Sequence, residues 1–315
     1  MTATKSFCSW QNAPESSHRL NRLIDMADAL NVVIVAHHTR PEVVPLIRTT
    51  QSWLKKNGHH VWMPVSDANA VGLPDLGVER SAQDADLLIS LGGDGTILRS
   101  VELLGGAPVP IFGVNMGTLG YLTEIEPSEI LQRLEQWINR TTHDQVVLDE
   151  RMMLSVTLKS KSSGKSTSWR ALNEAVIERQ QSGHTVWLDV TINHEVFARY
   201  SADGVIVATP TGSTAYSMSA RGPVVSPRHK AILLTPVSPH MLFDRSLVLA
   251  PTEMLSMQVV GTRPAELAID GRHVASLEQG DVVSYEADSC AANFIRFSSP
   301  KFHQIVRAKF GLGDE

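Results

Sequence analysis

Cysteine is nearly absent from this chain. Its 315 residues include two, Cys8 and Cys290, far apart and in no C-x-x-C pair, which excludes a thiolate metal cluster and a disulfide framework. Long apolar runs are missing as well. No uninterrupted stretch approaches the ~20 residues that cross a bilayer, and residues 1–20 are polar, with Pro14 and several serines where a signal peptide would have its apolar core. A cytoplasmic protein without a membrane partner is expected. Nor is there a basic surplus: 28 Lys and Arg stand against 33 Asp and Glu, a net charge of −5 with the 12 His neutral, so nucleic acid is not an expected partner. What remains, 43% hydrophobic and 19% charged, is a globular composition rather than a disordered, collagen-like or coiled-coil one. At ~150 residues per domain, the length suggests two domains.

The hydrophobic pattern divides the chain unevenly. Residues 1–30 read as an N-terminal extension, with helical spacing through Leu20, Leu23, Ile24, Ala27 and Leu30. Residues 31–145 alternate strands and helices. The strands are Val32–Ala36, His60–Met63, Asp86–Leu91 and Val109–Val114. A Thr39/Glu42 capping box opens a helix near Pro41 that ends at Gly58; a second helix runs from about Thr96 to Leu104 and stops at Gly105-Gly106; Ser128 caps a third through Ile130, Leu134 and Ile138. That alternation predicts a doubly wound, Rossmann-like α/β domain. From Val146 the period changes to two, as in Leu154-Ser155-Val156-Thr157-Leu158, and Asp270-Gly271 reads as a two-residue hairpin turn. Residues 146–290 are therefore expected to form a mostly β, sandwich-like domain. Residues 291–315, with Phe294–Phe297 and a helix-like tail from Lys301 to Phe310, are expected to return to the first domain.

The sharpest local signal is Gly92-Gly93-Asp94-Gly95, between a hydrophobic strand and a helix. Glycines there let the backbone approach a ligand and aim free amides and the helix dipole at an anion, most often phosphate. A carboxylate inside such a cradle is odd. Asp94 either works as a base or charge bridge or caps the helix, and the turn alone leaves both readings open. A second segment, Asp203 to Tyr216, is a β-run ending in a Thr/Ser/Gly loop whose hydroxyls and amides suit a polyhydroxyl or phosphate ligand. Asn173-Glu174 opens another strand. Gly164-Lys165-Ser166 mimics the end of a Walker A loop, but position 159 is Lys, so it reads as a charged hairpin tip. The pairs His37-His38 and His59-His60 lack a carboxylate partner in sequence and read as satisfied or solvated histidines rather than metal ligands.

Taken together, Gly92-Gly93-Asp94-Gly95, the run Asn115 to Thr123, Asn173-Glu174, and Asp203 to Ser219 with its Thr209–Tyr216 core resemble the NAD kinase family in order and spacing from about Asn31 onward. Ser238-Pro239-His240 and Asp270-Gly271 look like later signatures of the same family. GGDG alone is shared with diacylglycerol and sphingosine kinases. The resemblance implies transfer of the γ-phosphoryl of ATP, or of polyphosphate in some members, to the 2′-hydroxyl of the adenosine ribose of NAD, yielding NADP. It implies Asp94 as general base, with Gly92, Gly93, Gly95 and Arg99 at the phosphates. It implies NAD contacts from Asp94, Gly95, Arg99, Tyr121, Asn173, Glu174, His184, Asp203, Thr214, Ala215, Tyr216, Ser217, Met218 and Ser219, with Tyr121 stacking on adenine. Mg²⁺ is implied as a companion of the substrate phosphates, without a dedicated protein cage, and self-assembly as a homodimer or homotetramer.

Three positions depart from the family pattern: Arg221 where glycine is usual, Ser201 where a basic residue is common, and Arg272 where glutamine is common. They bear on donor preference and affinity rather than on the reaction. Two other readings compete. A lipid kinase sharing GGDG would need an apolar acceptor cavity in the β domain, and a non-catalytic dinucleotide sensor would need a purely structural Asp94.

Overall fold

The computed structural model describes residues 29–117, 120–139, 146–181, 183–297 and 302–312. Residues 20–28 of the expected N-terminal helix, Cys8, and Thr118-Leu119 lie outside the described residues, and Leu30, the last position of that helix, is buried in non-helical chain leading into the first strand. The first strand, β1 (Asn31–Ala36), is a run of β-branched and small apolar residues, buried along nearly its whole length as a central parallel strand requires. It is followed by α1 (Val43–Lys56), β2 (His60–Trp62), α2 (Val65–Ala70), β3 (Leu87–Gly92), α3 (Asp94–Leu104), β4 (Ile111–Asn115) and α4 (Ile130–Asn139). The four strands run parallel in the order β2-β1-β3-β4. Strand order therefore reverses between β1 and β3, and the crevice beyond their carboxyl ends is where doubly wound sheets bind ligands.

The β half follows with β5 (Val147–Lys159), β6 (Ser166–Ala171), β7 (Glu174–Arg179), β8 (Val186–Ile192), β9 (Glu195–Ala202), β10 (Gly204–Ala208), the short α5 (Tyr216–Ser219), β11 (Ile232–Val237), β12 (Leu247–Leu249), β13 (Leu255–Val259), β14 (Ala265–Ile269), β15 (Arg272–Leu277), β16 (Val282–Arg296) and α6 (Phe302–Phe310). One sheet is antiparallel throughout, β12-β11-β10-β7-β14-β15. The other contains ten strands, because β16 pairs with β13 and β5 and then meets β4 in parallel at Phe294 and Ile111. A single sheet thus runs from the α/β half into the β half. Between the two sheets, Leu154, Val156, Leu188, Tyr200, Val205, Leu234, Leu267 and Tyr285 form one buried cluster. Each such fully buried large side chain contributes about 1.5–3 kcal/mol of transfer free energy.

Local details differ from the sequence expectation in informative ways. α1 begins at Val43, with no side-chain cap at Glu42, and the Thr39 amide turns back to His37 Nδ1 instead of opening the helix. Pro41 has no amide to offer a cap, and the first helical bonds run from Val43 and Val44 to the carbonyls of Arg40 and Pro41. Ser128 is not a cap either. It lies inside a 3₁₀ turn, Pro127–Glu129, whose proline presets the helical φ. α3 starts at Asp94, two residues before the expected Thr96, which puts that carboxylate in the first helical turn. Asp270 and Gly271, at φ of 47° and 77°, form the expected hairpin turn between β14 and β15. Among the described residues, no helix is long and apolar enough to cross a membrane.

Candidate active site

The turn from β3 into α3 holds glycines of two kinds. At Gly92 a β-carbon would lie 2.1 Å from Thr96 Oγ1, so the fold itself demands glycine. At Gly93 and Gly95 a β-carbon would meet no protein atom within 4 Å, and neither has a positive φ. Their bareness serves the space in front of the turn. A cavity of about 360 Å³ opens there, lined by His37, His38, Arg40, Gly93, Gly95, Thr96 and Arg99, with no carboxylate in its wall. Arg99 is anchored rather than loose. Its guanidinium lies 2.6 Å from the buried Asp67 carboxylate, 2.6 Å from the Ala36 carbonyl and 2.6 Å from His38 Nε2. Arg40 donates to the Met116 carbonyl and sits against the bare face of Gly117. Burial, then the positive field of Arg40, His38 and Arg99, lowers the pKa of His37. Together with the α3 amides this is an anion cradle at the switch point.

Beside the cradle, Asp94 holds the loop that follows β4. Its Oδ2 accepts the Tyr121 amide at 3.0 Å and its Oδ1 the Leu122 amide at 3.0 Å. Each oxygen keeps a further acceptor site. Tyr121 stands against Asp94; burial and then that negative charge raise its pKa. Lys309 of α6 lies 4.5 Å from the Tyr121 ring centroid, and the same ring faces a cavity of about 250 Å³ shared with Arg151, Thr211, Thr214, Arg228, Phe302 and His303.

Asn173 and Glu174 open β7 and are fixed by backbone contacts. The Thr209 amide donates to the Asn173 carbonyl at 2.8 Å, the Thr209 hydroxyl to the Leu172 carbonyl at 2.6 Å, and a β-carbon at Gly212 would fall 2.1 Å from the Asn173 carbonyl oxygen. From the hairpin, the Asp270 carboxylate accepts the amides of Leu172, Asn173 and Glu174 at 2.8, 2.8 and 3.0 Å. Glu174 is 6% exposed and its Oε2 has no partner. Burial, reinforced by the negative charge of Asp270 and only partly opposed by the Tyr216 amide, pushes its carboxyl up to about 8. A third cavity, about 450 Å³, has Gly95 and Arg99 on one wall and Asp270 and Arg272 on the other, joining the two clusters.

The structure thus brings together Gly93, Asp94, Gly95, Arg99 and Tyr121 on one side and Asn173, Glu174, Thr214, Ala215 and Tyr216 on the other. Tyr216 is partly exposed, close enough to Glu178 and Asp203 for their charges to raise its pKa alongside burial, and Asp203 pairs with Arg179 at 2.9 Å. Met218 is half-buried and Ser219 exposed on α5. Ser217 is fully buried, its hydroxyl 3.1 Å from that of Thr235, so its side chain secures α5. His184 is exposed in the turn before β8, where its carbonyl accepts from Arg179. Arg221 takes a φ of 65°, a left-handed conformation that explains why glycine suits this position. Ser201 bonds Thr185, and Arg272 pairs with Glu102 at 2.7 Å. Of the histidine pairs, His59 accepts the Leu30 amide, whereas His37 and His38 line the anion cradle. The latter pair follows β1 directly, at the switch point of the sheet. Asp67, Asp149, Arg151 and Arg296 carried no local signal.

Comparison with known proteins agrees across most of the chain. A family profile described as ATP-NAD kinase N-terminal domain matches residues 32–142, and one described as ATP-NAD kinase C-terminal domain matches residues 172–297. Among curated relatives, an NAD kinase of Symbiobacterium thermophilum is 37% identical over 280 residues, 88% of this chain and 97% of that one. An NAD kinase of Heliobacterium modesticaldum is 34% identical over 284 residues, 90% and 99% of the two chains. Among solved structures, a yeast NADH kinase complexed with NADH superposes with a TM-score of 0.82 at 27% identity, covering 91% of this chain and 89% of that one. An Archaeoglobus fulgidus NAD kinase in complex with ATP shares the fold, with a TM-score of 0.66 at 24% identity, covering 90% and 98%.

Proposed function

The chain belongs to the NAD kinase family and phosphorylates NAD with ATP; from that premise we propose that Asp94 is the base that removes the proton from the 2′-hydroxyl of the adenosine ribose. The observation that carries this reading is the Asp94 carboxylate itself. It is clamped by two amides and lies in the same turn as Gly93 and Gly95, which line the cationic cradle, with Gly95 also facing the cavity that reaches Asp270. The donor's phosphates occupy the cradle, met by the α3 amides, His37, His38, Arg40 and Arg99. The acceptor's adenosine lies between Tyr121 and the Thr211–Tyr216 loop, with Asn173 and Glu174 at the ribose. As the ribose oxygen attacks the γ-phosphorus, the bond to the departing ADP breaks and the hydroxyl proton passes to Asp94. A positioned base supplies about 10²–10⁴-fold in rate, and alignment and charge neutralisation the rest.

Magnesium enters as the donor's companion. The oxygen donors that would hold Mg²⁺ are the phosphates themselves with Asp94, a hard ligand set that suits the ion. When bound it screens the phosphate charge. The cavity facing Tyr121 is mixed, with Pro210, Pro227, Phe302 and Ile305 beside Asp149, Arg151, Arg228 and His303; its charged groups support a dinucleotide over a lipid acceptor.

The test is Asp94→Asn, which keeps the size and removes the charge, though its single acceptor oxygen keeps only one of the two amide bonds. NADP formation from NAD, ATP and Mg²⁺ is expected to fall by about 10²–10⁴-fold in kcat, and an unchanged rate overturns the assignment. The same reading includes a cytoplasmic setting and self-association as a dimer or tetramer. Sedimentation of a monomer at micromolar concentration contradicts the latter.

A further inference from the structure

We propose that Arg296 is a positioning residue for the phosphoryl transfer, and that the Asp149–Arg151–Arg296 cluster ties the Asp94 loop to the acceptor loop; the proposal rests on Asp94 being the base. Leu122 is gripped at both of its backbone polar groups. Its amide donates to Asp94 Oδ1 at 3.0 Å, and its carbonyl accepts from Arg296 Nη1 at 2.9 Å. Arg296, 4% exposed, is the last residue of β16 and lies 3.3 Å from Asp149 Oδ2 through Nε. The same Asp149 oxygen takes Arg151 Nε at 2.8 Å and Nη2 at 2.6 Å, and Arg151 Nη1 reaches the Thr211 hydroxyl at 3.5 Å. Glu124 stands 3.8 Å from Arg296 and balances the second cation. One buried cluster therefore connects Leu122, beside the base, to Thr211, in the loop assigned to the acceptor.

The energetics say what such a cluster supplies. Removing several charges from water costs several kcal/mol per ion, and well-packed apolar residues of similar volume are often as stabilising or more so. Stability alone does not explain it. Directionality does: a guanidinium fork holds a carbonyl and a carboxylate at once, which no apolar side chain can do. Its rigidity comes from the sheet. Near its end β16 pairs with β4, which leads into the 120–122 loop, and with β5, which carries Asp149 and Arg151. A misplacement of ~1 Å at a reacting group costs about 10²-fold in rate.

The test is Arg296→Lys, which keeps the charge and loses the fork. Expected are a 10–100-fold loss in kcat with KM values for NAD and ATP within about threefold of wild type, a split that a merely structural role would not give. In the Asp94→Asn background the same change should cost nothing more, since both act through one group. Should Arg296→Lys fail to fold, Arg296→Gln, which removes the charge and keeps a donor toward Leu122, is measured the same way. A variant that loses melting temperature while keeping wild-type kcat overturns the proposal, as does a multiplicative loss in the double variant. If Asp94→Asn alone keeps the wild-type rate, the reading of the base fails instead. If it is inactive while Arg296→Lys is not, only the positioning role fails.

Discussion

The Asp94 carboxylate fills the space that a β-carbon on Gly120 would need: an ideal Cβ there lies 2.3 Å from Asp94 Oδ1 and 2.9 Å from the Thr123 hydroxyl. Glycine at position 120 is therefore part of the geometry of the proposed base. Gly120→Ala is expected to displace the carboxylate and lower kcat by about 10²-fold, with the protein still folded by circular dichroism. Wild-type turnover in that variant would show that the loop yields without moving Asp94.

Gly95 makes the opposite case. With no protein atom within 4 Å of its missing side chain, and with a place in the first turn of α3, alanine there is expected to leave the melting temperature unchanged or slightly raised, by up to about 1 kcal/mol in helix propensity. The KM for ATP should nevertheless rise by about tenfold or more, which corresponds to 1.4 kcal/mol of binding. Unaltered ATP kinetics would mean that the donor does not pass this turn.

The two arginines of the cradle should separate binding from folding. Arg40 is exposed, and Arg40→Ala is expected to raise the KM for ATP while leaving the melting temperature in place. Arg99→Ala strips the buried Asp67 of its guanidinium partner and should cost stability as well, by about 3 kcal/mol. Thermal melts alongside ATP titrations check the contrast, and equal melting temperatures for the two variants would contradict it.

Glu174 predicts a pH dependence of stability. Its carboxyl holds a proton in the native state up to about pH 8, because burial and the neighbouring Asp270 disfavour its charge, whereas the unfolded chain releases that proton near the ordinary value of 4.5. The native state binds the extra proton, so this contribution is fully present below the unfolded value and is lost as the pH rises through about 8. Glu174→Gln should flatten the decline in melting temperature between pH 5 and pH 8.5. Parallel melting curves for wild type and variant would remove this account.

Several features were legible because they are properties of a short stretch of chain. The β-branched run of β1, the glycine turn into α3 and the Asp270-Gly271 hairpin each follow from local conformational preference, and each is where the pattern put it. The Thr39/Glu42 and Ser128 capping signals misled for a related reason: neighbouring prolines already set the backbone there, and a capping side chain had nothing left to do. Arg99 was expected near phosphate, but nothing beside it in sequence announced that Asp67 would hold it from 32 positions away.

From residue order alone came the parallel α/β half, the β half, the Gly-Asp-Gly turn and the family resemblance, since periodicity, turn chemistry and motif spacing are written along the chain. The meeting of Leu122 with Arg296, 174 positions apart, and the burial that keeps Glu174 protonated were decided only when the ten-stranded sheet closed. Charge and polarity belong to a residue, but the solvent it loses and the partner it gains belong to the fold.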